Sequence, residues 1–331
     1  MARSRHFVDK YKMEITGSFS LFIVGLFLLV LSANWLIQSC VKISFLLKLT
    51  PLFIGLVLVA FGTSAPEAGV GIMAAVRDEK GIALGTVLGS NIANIGLILG
   101  LCAFLTPLTV NKSIFKRELP IMIFSPILLY VLSLDLLLSR LDGLIFILSF
   151  LFFCFISYKG AKKSFDDKEA QNFKLNKSLQ NSNSLFLIIT IILFSLLGII
   201  LGADLMVRGG VKLARIFGIS PWIVSITVFA IGTSLPELVA SLTASLKKIP
   251  SISVGNVVGS NIFNILFILG IVALIRPISV ASSVLKFEFP VLFLFSILLF
   301  TVMRTKYKIT RKEGLVMFLG YLAFLFFLLR R

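Results

Sequence analysis

Histidine is nearly missing from this chain. His6 is the only one in 331 residues, and it precedes the first apolar run. No imidazole relay can therefore operate inside the apolar segments. Cysteine is scarce as well. Cys40, Cys102 and Cys154 are isolated and lie in or beside apolar runs, which excludes a disulfide framework and a zinc site. Acidic residues number 15 against 32 Lys and Arg, a formal charge of +17. In a soluble protein that balance would point to nucleic acid. Here the basic residues fall between apolar runs, where they hold loops and snorkel at helix ends, so no nucleic-acid partner is expected.

What the chain has in abundance is apolar surface. Hydrophobic residues make up 58% of it and the mean hydropathy is +1.03. A water-soluble fold could not hide that much, so the lipid bilayer is the expected environment. The length suits about ten crossings at roughly 20 to 25 residues each. Residues 1–16 form a polar, basic tail. The run from Phe19 to Val41 is too long for a signal-peptide core and is followed by no small-residue cleavage site, so it reads as the first span. Further spans are expected at 51–76, 81–107, 116–134 and 141–158, closing a first unit at 17–158. A hydrophilic linker covers 159–184. Its Asp166, Asp167 and Glu169 lack the spacing and glycine of an EF-hand. A second unit, 185–331, would cross at 185–213, 221–246, 252–277, 287–303 and 314–329.

The two units are copies. Gly62-Thr63-Ser64-Ala65-Pro66-Glu67 recurs as Gly232-Thr233-Ser234-Leu235-Pro236-Glu237, at an offset of 170. The same offset relates Pro51 to Pro221, Gly89-Ser90-Asn91 to Gly259-Ser260-Asn261, Asn94 to Asn264 and Pro120 to Pro290. Gapless alignment of 51–120 with 221–290 is an internal duplication, and in a membrane protein that is a transporter signature. Five spans per copy is an odd number. The expected fold is therefore all-α, ten transmembrane helices in two inverted five-helix repeats, with helices broken at mid-membrane by Pro66 and Pro236. Loops on the linker side hold 18 Lys and Arg, and the other side holds 10 without the basic tail. The linker is expected in the cytoplasm and both termini outside. The membrane is expected to be a bacterial or archaeal plasma membrane.

An intramembrane carboxylate is costly and marks function by default. Glu67 and Glu237 have no basic residue nearer along the chain than Arg77 and Lys247, ten positions on. Glu118 and Glu288, beside Lys116, Arg117 and Lys286, read as paired interfacial groups, and so does Asp204 with Arg208. Inversion would join Glu67 and Glu237 with the hydroxyls of Thr63, Ser64, Ser90, Thr233, Ser234 and Ser260 and the amide oxygens of Asn94 and Asn264. The helix breaks would add freed carbonyls, from Ala60, Thr63, Ala230 and Thr233. Ser90, Asn94 and their partners also suit simple helix–helix packing. All these donors are hard oxygens, which suit Ca²⁺ or Na⁺ and not zinc or copper. Two carboxylates balance one Ca²⁺ or two or more Na⁺, and ions competing for them would exchange.

The paired G-T-S-x-P-E and G-S-N-x-x-N blocks resemble the alpha repeats of the calcium/cation antiporter superfamily, in its sodium/calcium exchanger branch. The resemblance covers both repeats. It implies a secondary antiporter with Glu67 and Glu237 as main ligands and Thr63, Ser64, Ser90, Asn94, Thr233, Ser234, Ser260 and Asn264 in support. It implies no enzyme activity and no cofactor; Na⁺ and Ca²⁺ are cargo. Two positions depart from the pattern. Asn264 stands where many members, including potassium-dependent ones, have Asp, and Thr86 stands where the second repeat has Asn256. The cation/proton branch usually shows G-N-x-x-E instead, which favours Na⁺ over protons as the driving ion. A proton-coupled exchanger and a cation channel remain as alternatives, and counterflow across sealed vesicles separates exchange from a channel. An intramembrane enzyme lacks its nucleophile or metal-ligand pattern here.

Overall fold

The computed structural model of the protein describes residues 2–76, 82–163, 184–217, 232–305 and 307–330. Residues 164–183 of the expected linker, Gly81, Pro221 and Ala230 lie outside them, while 159–163, expected in the linker, continue the helix that begins at Arg140.

Helix α1 runs unbroken over Ala2–Leu47, so the expected tail at 1–16 is not a separate segment. Residues 2–16 contain neither proline nor glycine, and nothing in them stops a helix. Thr50 caps the next helix by accepting from Phe53 N, with Pro51 in the first turn. That helix, α2 (Pro51–Thr63), meets α3 (Ala65–Val76) at a bend of 46°. There follow α4 (Ile82–Leu105), β1 (Leu108–Thr109), α5 (Lys112–Lys116), α6 (Glu118–Leu132), β2 (Leu137–Leu138) and α7 (Arg140–Lys163). The second half holds α8 (Leu185–Ile216), α9 (Leu235–Leu246), α10 (Pro250–Ile275), β3 (Ile278–Ser279), α11 (Ser282–Lys286), α12 (Glu288–Arg304), β4 (Lys308–Ile309) and α13 (Arg311–Arg330).

Among the described residues six helices are long and apolar enough to cross a membrane, and the bent pair α2–α3 makes a seventh. Helix α6, at 15 residues, and the described α9, at 12, are shorter than a full crossing. Length and apolarity alone thus do not bring the expected ten crossings.

Two short ribbons tie the halves together. Strand β1 pairs antiparallel with β4, Leu108 opposite Ile309, and β2 pairs with β3, Leu138 opposite Ile278. Close helix contacts do the same. A Cβ on Gly314 of α13 would lie 2.7 Å from the Gly100 carbonyl of α4, so only glycine permits that approach. Buried side chains fall into two clusters, a larger one around α4 and α10 and a smaller one around α1, α8 and α9.

Large apolar side chains face outward, with Phe186 82% and Phe194 70% exposed, as a lipid solvent requires. Polar groups go inward. Ser251, Ser253, Asn256, Ser260, Asn261 and Asn264 of α10 are all buried. Two of the expected pairs form: Arg208 lies 2.8 Å from Asp204, and Arg117 lies 3.7 Å from Glu118, which is buried.

Candidate functional site

The two glutamates owe their places to the breaks. Pro66 and Pro236 carry no N–H, so the carbonyls of Gly62 and Gly232 lose their i+4 donors and the helices restart after Ser64 and Ser234. Glu67 and Glu237 then stand in the first turns of α3 and α9. The positive end of a helix macrodipole favours a carboxylate there. Both side chains are buried, at 1% and 0% exposure.

Each carboxylate takes its hydroxyl partners partly from the other half. Ser64 Oγ donates to Glu237 Oε1 at 2.7 Å and lies 3.1 Å from Ser260 Oγ. In mirror fashion Ser234 Oγ reaches Glu67 Oε1 at 3.4 Å and lies 3.3 Å from Ser90 Oγ. Ser90 Oγ itself reaches Glu67 Oε1 at 3.3 Å. This meeting depends on a close approach of α10 to α2. A Cβ on Gly255 would stand 2.6 Å from the Leu52 carbonyl.

The asparagines form a second crossing between the halves. Asn94 Nδ2 donates to Asn261 Oδ1 at 3.0 Å, and Asn264 Nδ2 donates to Asn91 Oδ1 at 3.1 Å. Asn91 Nδ2 donates to the Asn261 carbonyl at 3.2 Å, and Asn261 Nδ2 returns to the Asn91 carbonyl at 3.5 Å. A π-helical stretch runs from Asn94 to Leu99 in α4 and another from Phe263 to Ile268 in α10. Such widened turns occur often at functional positions.

Four buried oxygens in this region have no hydrogen-bond partner among the described residues: Glu67 Oε2, Glu237 Oε2, Asn94 Oδ1 and Asn264 Oδ1. They come as two pairs related by the offset of 170. An orphaned buried acceptor costs about 1–3 kcal/mol, and more when charged, so four together are a costly arrangement that a bound cation would relieve. Neither glutamate has an ion pair among the described residues.

The structure thus brings together Glu67, Glu237, Thr63, Ser64, Ser90, Ser234 and Ser260, with Asn94 and Asn264 one helical turn beyond the serines of α4 and α10. Thr63 is buried and serves both its own helix and the Glu237 carboxylate, with which its side chain is hydrogen-bonded. Its hydroxyl donates to the Val59 carbonyl at 3.0 Å and lies 3.3 Å from Asn256 Oδ1. Thr233 is half-buried at the start of the second break. The Ala60 carbonyl is not freed as expected; it accepts from Ser64 N at 3.0 Å, because the helix persists to the last residue before Pro66's turn. Its second-half equivalent Ala230 lies outside the described residues.

Three asparagines were not expected at the site. Asn91 and Asn261 belong to the duplicated G-S-N block and sit three residues before Asn94 and Asn264, a spacing that does place them on neighbouring faces. Asn256 bridges α9 and α2. Its Nδ2 donates to Ser241 Oγ at 2.9 Å and lies 3.3 Å from the Glu237 carbonyl. The first half has Thr86 and Gly71 at the equivalent positions, so the halves differ chemically.

A family model described as "Sodium/calcium exchanger protein" matches residues 17–159 and 187–330, both halves of the chain. The chain belongs to the sodium/calcium exchanger family. Its relatives include the sodium/calcium exchanger MaX1 of Methanosarcina acetivorans, 35% identical over 94% of this chain and 98% of that one. The inner membrane protein YrbG of Escherichia coli is 34% identical over 84% of this chain and 86% of its own. Among solved structures, the sodium-calcium exchanger NCX_Mj soaked with zero Na⁺ and Ca²⁺ superposes with a TM-score of 0.80. It is 29% identical, over 94% of this chain and 98% of that chain. This member of the sodium/calcium exchanger family is accordingly a multi-pass integral membrane protein and a transporter, not an enzyme.

Proposed function

We propose that this family member exchanges Na⁺ for Ca²⁺ by alternating access at one site shared by its two halves. The observation that carries the proposal is the set of four unpartnered buried oxygens, Glu67 Oε2, Glu237 Oε2, Asn94 Oδ1 and Asn264 Oδ1. Hard oxygen donors of this kind match Ca²⁺ and Na⁺. Ser64, Ser90, Ser234 and Ser260 stand beside the carboxylates as further ligands. Thr63 and Thr233 complete the set by family resemblance. The names of MaX1 and NCX_Mj, both sodium/calcium exchangers, support the same pair of ions.

Charge supplies the coupling. Two ionised glutamates carry about −2, which one Ca²⁺ or two or more Na⁺ balance. Left empty, they repel each other in a low-dielectric interior. The protein should pass between its outward and inward forms readily only when loaded, so each ion leaves only in exchange.

The layout we infer is ten spans in two inverted repeats. The ribbons support it. Strands β1 and β3 follow equivalent helices, yet β1 pairs with β4 and β2 with β3. With ten spans, the loops joined by each ribbon lie on one side of the membrane, and equivalent loops of the two repeats lie on opposite sides. The reciprocal contacts Ser64–Glu237 and Ser234–Glu67 fit the same pseudo-twofold.

The test is isotopic Ca²⁺ uptake into sealed proteoliposomes preloaded with Na⁺. Uptake should require Na⁺ on the opposite side and collapse when the Na⁺ gradient is removed. Uptake driven by a proton gradient alone would move the protein to the proton-coupled class. Uptake without any counter-ion would make it a channel.

A further inference from the structure

We infer that Asn91 and Asn261 are positioning residues, each orienting the ligand asparagine of the opposite repeat. The inference rests on the cation-site reading above and assigns a role to two residues that touch none of its carboxylates.

The argument follows the donors and acceptors around the ring. A side-chain amide has one face that only accepts and one that only donates. Asn91 lies against the Asn261 backbone carbonyl, which cannot donate, so Asn91 must turn its Nδ2 there, at 3.2 Å. Its Oδ1 is thereby turned to Asn264, where only an N–H satisfies it. Asn264 gives its Nδ2 at 3.1 Å, which commits its Oδ1 to the other direction. The mirror chain runs from the Asn91 carbonyl through Asn261 to Asn94, at 3.5 Å and 3.0 Å. A backbone carbonyl thus decides, through one amide, which atom of the next amide is left over. In both cases it is the oxygen, buried and without a partner.

The stakes are specific to this chain. An aspartate presents oxygen on both sides and needs no such ordering. An asparagine turned by half a rotation would present an NH₂ group to a cation, replacing attraction with repulsion. With amides at both position 94 and position 264, the site has two groups whose correct face must be held. The wiring is crossed: Asn91 governs Asn264 and not Asn94, its neighbour one turn away.

The experiment is a pair of double-mutant cycles read by calorimetric Ca²⁺ titration of the purified full chain in detergent. Asn91→Ala should weaken Ca²⁺ binding about tenfold in the unaltered protein and by less than about twofold in an Asn264→Ala background, because the group it orients is gone. In an Asn94→Ala background the full loss, again about tenfold, should return. A merely structural asparagine would weaken binding equally in all three. Equal losses in both backgrounds, or unchanged binding in Asn91→Ala itself, would overturn the assignment. If Asn91→Ala is not recovered as a monodisperse protein, the mirror cycle of Asn261→Ala with Asn94→Ala decides by the same criterion. Failure of both to fold would make the ring a structural brace and end the proposal. The singles keep the two readings apart. Wild-type Ca²⁺ binding by Asn264→Ala would sink the cation site at that residue, whereas weakened binding with additive losses would sink only the positioning.

Discussion

Ser64 of the first half donates to Glu237 of the second at 2.7 Å, whereas the mirror contact, Ser234 to Glu67, spans 3.4 Å. The two carboxylates are therefore not held alike. Asn256 adds to the inequality, since it lies 3.3 Å from the Glu237 carbonyl while Thr86 occupies the equivalent place in the first half.

That asymmetry is measurable. A hydrogen bond to a charged group contributes about 1.5–3 kcal/mol, so Ser64→Ala should weaken Ca²⁺ binding by roughly tenfold or more. Ser234→Ala, which removes a longer and weaker contact, should cost less. Calorimetric titration of both variants checks the order. Equal losses, or a larger one for Ser234→Ala, would contradict the geometry.

Glutamine at either carboxylate should nearly abolish exchange. Glu67→Gln and Glu237→Gln keep shape and one acceptor oxygen but drop the site from about −2 to −1, too little to balance a divalent ion. A loss of a few kcal/mol in binding means roughly a hundredfold or more in affinity. Isotopic Ca²⁺ flux should fall close to background while the protein stays monodisperse. The double variant should be little worse than either single, because the pair acts as a unit. Glu118→Gln, whose parent lies beside Arg117, should transport nearly normally. Robust exchange by either glutamine single would refute the shared site.

Potassium should be dispensable. Position 264 carries a neutral amide, as does position 94, so the proposed site has no third carboxylate among the described residues to hold a further cation. Na⁺-driven Ca²⁺ flux measured in K⁺-free and K⁺-containing buffers should agree within about twofold, well under the tenfold that 1.4 kcal/mol of coupling would give. Abolition of flux on omitting K⁺ would show that the missing charge is supplied elsewhere.

Orientation can be read from the two ribbons. The bias of 18 against 10 basic residues predicts the β1–β4 ribbon in the cytoplasm and the β2–β3 ribbon outside. In a background lacking the three native cysteines, a cysteine at Asp135, exposed beside β2, should react with an impermeant thiol reagent on intact cells. One at Lys112, exposed beside β1, should react only after the membrane is opened. The reverse pattern would invert the topology.

The sequence by itself determined the membrane environment, the duplication and the pair of glutamates. Each rests on local chemistry: apolar runs too long for a soluble core, a repeated block at one offset, and prolines that must break a helix wherever it packs. It also pointed to the serines and to Asn94 and Asn264 of the proposed site, because their side chains are polar where polarity is expensive. Tertiary structure alone decided who meets whom. Nothing in the chain order says that Ser64 serves Glu237, that Asn91 faces Asn264, or that the Ala60 carbonyl stays bonded to Ser64 N. Those partnerships depend on how closely α10 approaches α2 at Gly255, on the widened turns beginning near Asn94 and Asn264, and on ribbons joining residues about 200 positions apart in one case and 140 in the other. A hydrogen bond is a matter of a few tenths of an ångström, and that distance is set by the packing of surfaces far apart in sequence.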